Sequence, residues 1–225
     1  MESVQSVTIE QINMNEALRY LGIRSEEPDH RTKELLLLCE KELLQVLDGK
    51  FVYKVFPLVN GQIPNCTFTL QGKAIQKHLE GCEQVILMCA TVSSGVDALI
   101  RKKQIMGMAE AMMIDSMASV AVEQVCDKAE EMVLKDFPGM EHTWRFGLGY
   151  GDFPLSGQKD FLALLDAPKR VGVCVNGASM LTPTKSVTCV IGIGKNLNVE
   201  SIQSCDFCNM REQCQFRKEG KNCGK

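Results

Sequence analysis

The sequence is short of several things, and each shortage excludes something. No apolar run approaches the ~18 residues that a membrane span needs. The longest, such as Leu35–Leu38 and Val85–Val92, stop far short of that. Positive charge is not in excess: 25 basic residues face 28 acidic ones, a net charge of −3, which speaks against a nucleic-acid binder. The opening residues, MESVQSVTIE, lack a basic region followed by an apolar one, so no secretory signal is expected and the cytoplasm is the expected compartment. Histidine is scarce. His30, His78 and His142 lie in polar stretches without metal-ligand spacing and are expected at the surface. The single tryptophan, Trp144, is expected to anchor packing. No internal repeat and no low-complexity linker is visible.

Cysteine is abundant, with eleven in 225 residues. An odd number without an export signal does not suggest a disulfide scaffold. Cys39, Cys66, Cys82, Cys89, Cys126, Cys174 and Cys189 are scattered among mostly apolar neighbours and read as small buried hydrophobes. Cys205, Cys208, Cys214 and Cys223 crowd the C-terminus with the spacing Cys-x2-Cys-x5-Cys-x8-Cys. A Cys-x2-Cys pair brings two thiolates onto one metal through a tight turn, and two more complete a tetrahedral set that suits an iron–sulfur cluster or zinc. Only Ile202, Phe207, Met210 and Phe216 are sizeable apolar residues there, so a metal would order a segment that its own core could not.

Upstream, the pattern predicts helices at Asn13–Leu21, stopped by Gly22, and from an Asp29 cap through Val46. FVYKVFPLV and Cys66–Leu70 have strand character, Lys73–Leu79 that of a short helix, and Gln84–Thr91 that of a strand buried on both faces. A long helical region from Gly95 to about Leu134 is divided at Gly107. Its methionines (Met106, Met108, Met112, Met113, Met117) are expected in the core, and its small residues (Ala109, Ala111, Ser116, Ala118, Ser119, Ala121) suit close packing. Thr143–Tyr150, Arg170–Val175 and Ser186–Ile193 read as strands, with a short helix at Gly157–Leu165 capped by Ser156. Helices, strands, long helices, then strands is not a βαβ alternation. The expected fold is α+β: a mainly antiparallel twisted sheet with flanking helices, plus a metal-binding tail. The boundary falls near residues 195–204, giving a body of 1–196 and a cysteine-rich tail of 197–225.

Arg145 to Gly157, RFGLGYGDFPLSG, carries the most chemistry. Arg145 offers a fork of donors to a carboxylate, the glycines let a ligand approach the backbone, and Tyr150 offers a flat face and a hydroxyl. Asp152 reads as a turn residue, with general acid chemistry as the alternative. Gly192-Ile193-Gly194-Lys195 lacks the spacing of a phosphate loop.

Arg145-x3-Gly149-Tyr150, a proline, a short helix ending at Leu164–Leu165, and then Gly177-Ala178-Ser179 resemble the activation (S-adenosylmethionine-binding) domain of cobalamin-dependent methionine synthase. Asp115–Glu123 resembles that family's preceding helix, and the resemblance covers about residues 85–195. Here Gly151-Asp152-Phe153 intervene before the proline, Pro154. The resemblance implies a free-standing activation domain with no catalytic residues of its own. It would bind S-adenosylmethionine through Arg145, Gly149, Tyr150 and Ala178. Its partner would be a cobalamin-loaded methionine synthase or related corrinoid protein, which alone carries the cobalamin, and it would position a methyl group for transfer to cobalt. Two alternatives stand beside it. One is an iron–sulfur or zinc accessory or redox protein that keeps the fold without the ligand. The other is a structural partner completing a domain-deficient synthase.

Overall fold

The computed structural model describes residues 4–23, 28–197 and 212–213. Cys205, Cys208, Cys214 and Cys223, on which the metal centre is expected, lie outside the described residues, as does nearly all of the expected 197–225 tail. In chain order the elements are β1 (Gln5–Val7), α1 (Met14–Tyr20), α2 (His30–Val46), β2 (Gly49–Pro57), α3 (Lys73–His78), β3 (Gln84–Thr91), α4 (Ser94–Met106), α5 (Met108–Leu134), β4 (Glu141–His142), β5 (Phe146–Gly147), a 3-10 turn (Leu155–Gly157), α6 (Gln158–Leu165), α7 (Ala167–Arg170), β6 (Cys174–Val175), β7 (Leu181–Thr182) and β8 (Ser186–Gly194). The class is α+β, as the sequence pattern predicts.

The main sheet has the order β1-β2-β3-β8-β4, with β5 also on β8. It is antiparallel. Pairs β1–β2, β4–β8 and β5–β8 run so by register. For β2–β3, Asp48 N bonds Val92 O at one end and Leu58 N bonds Glu83 O at the other; for β3–β8, Glu83 N bonds Ile193 O and Val92 N bonds Lys185 O. In each pair the residue numbers run in opposite directions. β6 and β7 form a separate hairpin.

The chain divides into two compact units. Among the described residues, the first comprises 4–23, 28–52, Cys89–Asp136 and Asp166–Val187. Its helices are well specified locally. Asn13 caps α1, and the Asp29 carboxylate accepts from both Thr32 N (3.0 Å) and Thr32 Oγ1 (2.8 Å) to start α2. α1, α2 and α4 pack on α5, whose buried face carries Ala111, Ile114, Met117, Ala118, Ala121, Val125 and Ala129. Of the small residues, Ala111, Ala118 and Ala121 are buried in this packing, Ser116 and Ser119 are half-buried, and Ala109 is exposed. Gly107 separates α4 from α5, as expected. Lys103, only 7% exposed, is held at 2.8 Å by Glu42 and lies 3.9 Å from Glu110. The buried Asp97 carboxylate accepts from Thr184 N and Thr184 Oγ1, fixing the approach to β8. At the first residue of that approach, Lys185 Nζ pairs with Asp115 (2.9 Å) and bonds Ser119 Oγ (2.9 Å).

Among the described residues, the second unit comprises Tyr53–Met88, Phe137–Leu165 and the chain over 188–197. Phe68, Phe146, Phe153 and Phe161 are its buried aromatic core, in edge-on and tilted contacts at 5.6–6.3 Å.

Several expectations need correction. Cys66–Leu70 is not a strand, because the Gln62 side chain occupies both backbone groups of Leu70, donating to its carbonyl and accepting from its N–H at 3.1 Å each. The Arg170–Val175 strand is the end of α7 followed by the two-residue β6. Ser156 lies inside the 3-10 turn, which has no side-chain cap. Of the five methionines, Met117 alone is fully buried; Met106, Met108 and Met112 are exposed, because they lie on the outward side of the α4–α5 turn. Among the scattered cysteines, Cys39, Cys89, Cys126 and Cys189 are buried, Cys66 and Cys82 half-buried, and Cys174 exposed. No described helix is long and apolar enough to cross a membrane.

Candidate functional site

The Arg145 segment belongs to the second unit, and its geometry begins with a register change. His142 pairs with Ile193, and Phe146 with Val190. Thr143, Trp144 and Arg145 therefore stand against only Ile191 and Gly192, so one residue is extra and the strand is bulged. Thr143 closes the bulge by accepting Gly192 N on Oγ1 (2.9 Å) and donating its own N–H to Gly192 O (2.9 Å). A bulge re-aims the side chains beside it, and Arg145 is its last residue. For the same reason, the strand expected over Thr143–Tyr150 reduces to the two short pieces β4 and β5.

Beyond β5 the chain folds back on itself. Gly149 N bonds Phe153 O (2.8 Å), Tyr150 N bonds Gly147 O (3.2 Å), and Phe153 N bonds Tyr150 O (2.9 Å). Gly149 sits at φ +93°, a backbone region that side chains rarely adopt, and a Cβ there would press on Leu155. Tyr150 is 43% exposed, and its ring stands 6.2 Å from Trp144 and 5.8 Å from Phe146. The row continues inward to His78, 4.6 Å from Trp144. The indole Nε1 is buried and finds no acceptor among the described residues, so packing rather than hydrogen bonding holds this ring, as expected of an anchor.

Two residues act here in ways the sequence did not disclose. Asp152 lies in a turn, as expected, and does more there. Its carboxylate accepts from Lys73 N (2.7 Å) and Ala74 N (2.9 Å), capping α3 and tying the glycine loop to it. Those two N–H groups hold the Asp152 carboxyl below the usual carboxylate range. The signal was an absence, since Gly72 precedes α3 and provides no side-chain cap. His78 is buried, at 2% exposure, not at the surface. It closes α3 on the inward face, and its Nε2–H donates to Trp144 O at 2.9 Å. Burial lowers its pKa to about 4, so the ring is neutral at physiological pH.

A depression of about 520 Å³ lies beside the loop, lined by Gln62, Leu70, Gln71, Gly72, Lys73, Gln76 and Asp152. None of the sequence-predicted site residues lines it, and two of its backbone donors are already taken by Asp152. The structure brings Arg145, Gly149 and Tyr150 onto one bulge-and-loop segment. Ala178 belongs to the first unit and is exposed in the turn between β6 and β7, where its N–H donates to Asn176 Oδ1 (2.9 Å). Among the described residues no group of three or more His, Cys, Asp and Glu side chains is placed to hold a metal.

No family model and no curated protein matches the chain. Solved structures do, and thirteen chains match. One is the crystal structure of the MetH reactivation domain bound to AdoHcy, which aligns with a TM-score of 0.62 over 98% of this chain and 87% of that chain, at 14% identity. At that identity the likeness shows the fold. This chain has the α+β fold of a methionine synthase reactivation domain.

Proposed function

We propose that this protein binds S-adenosylmethionine and supports reductive reactivation of a cobalamin-dependent methionine synthase or a related corrinoid protein. The observation that carries the reading is the near full-length likeness to a reactivation domain whose structure holds AdoHcy. The residues of this chain fit such a ligand by chemistry. Arg145 would take the carboxylate in a charge-assisted bond, and the exposed Tyr150 ring would cover the flat base. Gly149 would let the ligand lie against the backbone.

The reaction balances with one external electron. An inactive Co(II) corrinoid on the partner takes one electron from a reductant, and the resulting nucleophile takes CH3⁺ from the sulfonium. A methyl–cobalt bond forms, the methyl–sulfur bond breaks, and S-adenosylhomocysteine leaves neutral at sulfur. What this chain supplies is positioning of the donor, which turns a two-body encounter into an oriented one. The test mixes the protein with a cobalamin-loaded methionine synthase lacking its own activation domain, held as Co(II), with S-adenosylmethionine and a reductant. The protein should speed the appearance of methylcobalamin in the absorption spectrum. An unchanged rate at saturating protein contradicts the reading.

The cysteine spacing of the tail favours an additional role. We infer that Cys205, Cys208, Cys214 and Cys223 bind an iron–sulfur cluster or zinc. If the cluster is iron–sulfur, this chain could itself relay the electron, and an accessory redox function without S-adenosylmethionine binding is the alternative reading.

A further inference from the structure

The turn between α4 and α5 presents an apolar surface at an unusual cost. Ile105 is 89% exposed, Met106 67%, Met108 61% and Met112 57%. These four fall within eight residues on either side of Gly107. Isolated exposed hydrophobes are ordinary, whereas a contiguous group on one corner marks an interaction surface. The corner is also pinned from below. Lys103, nearly buried, is paired with Glu42 and Glu110, and its carbonyl accepts Gly107 N at 2.8 Å. The cation under the corner is thus neutralised by two carboxylates. The cations on top are not. Arg101 and Lys102 are exposed, stand one helical turn before Ile105 and Met106, and have no carboxylate partner among the described residues.

We propose that this corner docks a partner protein that presents an apolar hollow bordered by carboxylates, and that under the function proposed above this partner is the corrinoid enzyme. Charge selects the occupant. A second copy meeting the same patch would double its surplus of positive charge, because the corner's two carboxylates, Glu42 and Glu110, already serve Lys103. A membrane corner would carry tryptophan, phenylalanine or leucine with many cations, not one isoleucine, three methionines and two cations. Methionine instead suits a protein surface that must repack around another protein. The carboxylate border complements the two unpaired cations and makes the encounter salt-sensitive.

The test titrates the full chain against cobalamin-loaded methionine synthase lacking its activation domain, without S-adenosylmethionine, by calorimetry at two salt concentrations. The variant Ile105→Ser/Met108→Ser/Met112→Ser should lose roughly tenfold or more in affinity, since it removes most of the apolar contact. Arg101→Glu/Lys102→Glu should weaken binding and flatten its salt dependence. Both should bind S-adenosylmethionine as the wild type does. Wild-type affinity in the triple variant, or no binding by the wild-type chain, overturns the inference. So does binding to phosphatidylserine vesicles, or a wild-type dimer that the triple variant abolishes, because each assigns the corner to another occupant. Loss of S-adenosylmethionine binding by the wild type would instead count against the proposed function, which this titration does not use.

Discussion

The Asp152 carboxylate caps the first turn of α3 from 78 residues further along the chain, taking Ala74 N at 2.9 Å while its other oxygen takes Lys73 N. This contact joins a helix without a cap residue of its own to the loop that carries Arg145, Gly149 and Tyr150. Asp152→Ala should therefore speed amide hydrogen exchange at Lys73 and Ala74, and at Gly149 and Tyr150 as the loop loosens. Asp152→Asn, which retains one acceptor, should do so less. The carboxyl is held below its ordinary range by bonds to its charged form, so the cap is present at neutral pH and is lost only as pH falls through that lowered value. Exchange at Gly149 and Tyr150 that Asp152→Ala leaves unchanged would show that the loop holds its shape alone.

His78 sets an acid limit on stability. Its pKa falls from 6.5 to about 4 on folding, so between those values the unfolded chain binds more protons than the folded one. Stability from this group is full above about pH 6.5, declines as pH drops towards 4, and levels off below. The span amounts to about 3 kcal/mol. Denaturant unfolding at a series of pH values should show the decline, and His78→Gln, which keeps a donor for Trp144 O but does not titrate, should remove most of the slope in that window.

Gly192 is the close-approach point of β8. A Cβ there would collide with Cys82 Sγ and lie 2.8 Å from Leu79 Cδ2, inside a strand that is buried from Thr188 onwards. Burial pushes the Cys82 thiol up to about 11, so it acts as a neutral packing group. Gly192→Ala should destabilise by about 1–3 kcal/mol. Cys82→Ala should relieve part of that, giving a coupling above ~0.5 kcal/mol in a double-mutant cycle. Strict additivity would mean that the strain falls elsewhere.

What could be read from the sequence follows from what is local. Asp29 before α2, Gly107 between two helices and the continuous apolar run of β3 each announce themselves within a few residues, and the structure has all three. The Asp152 cap and the burial of His78 depend on partners 79 and 66 residues distant, which no window of sequence contains together. Gln62 and Leu70 are only eight residues apart, but their pairing is a side-chain bond to the backbone that apolar periodicity does not register. The bulge that places Arg145 is likewise a property of two strands counted against each other. The exposed methionines misled for another reason, since a periodic apolar stripe looks the same whether a neighbour covers it or a partner does.

The tail makes a prediction independent of the fold. Anaerobically prepared protein should contain iron or zinc by metal analysis, and a chain ending after residue 200 should lose it while keeping its helical circular dichroism. Metal retained after that truncation would move the ligands to the body of the protein.

Binding of S-adenosylmethionine is the claim on which the functional account depends, and isothermal calorimetry on the full chain tests it most directly. A charge-assisted bond from Arg145 to the ligand carboxylate contributes ~1.5–3 kcal/mol. The account predicts measurable wild-type binding that Arg145→Ala weakens roughly 10- to 150-fold. No heat of binding from the wild-type protein at millimolar ligand, or equal affinity in Arg145→Ala, would contradict it.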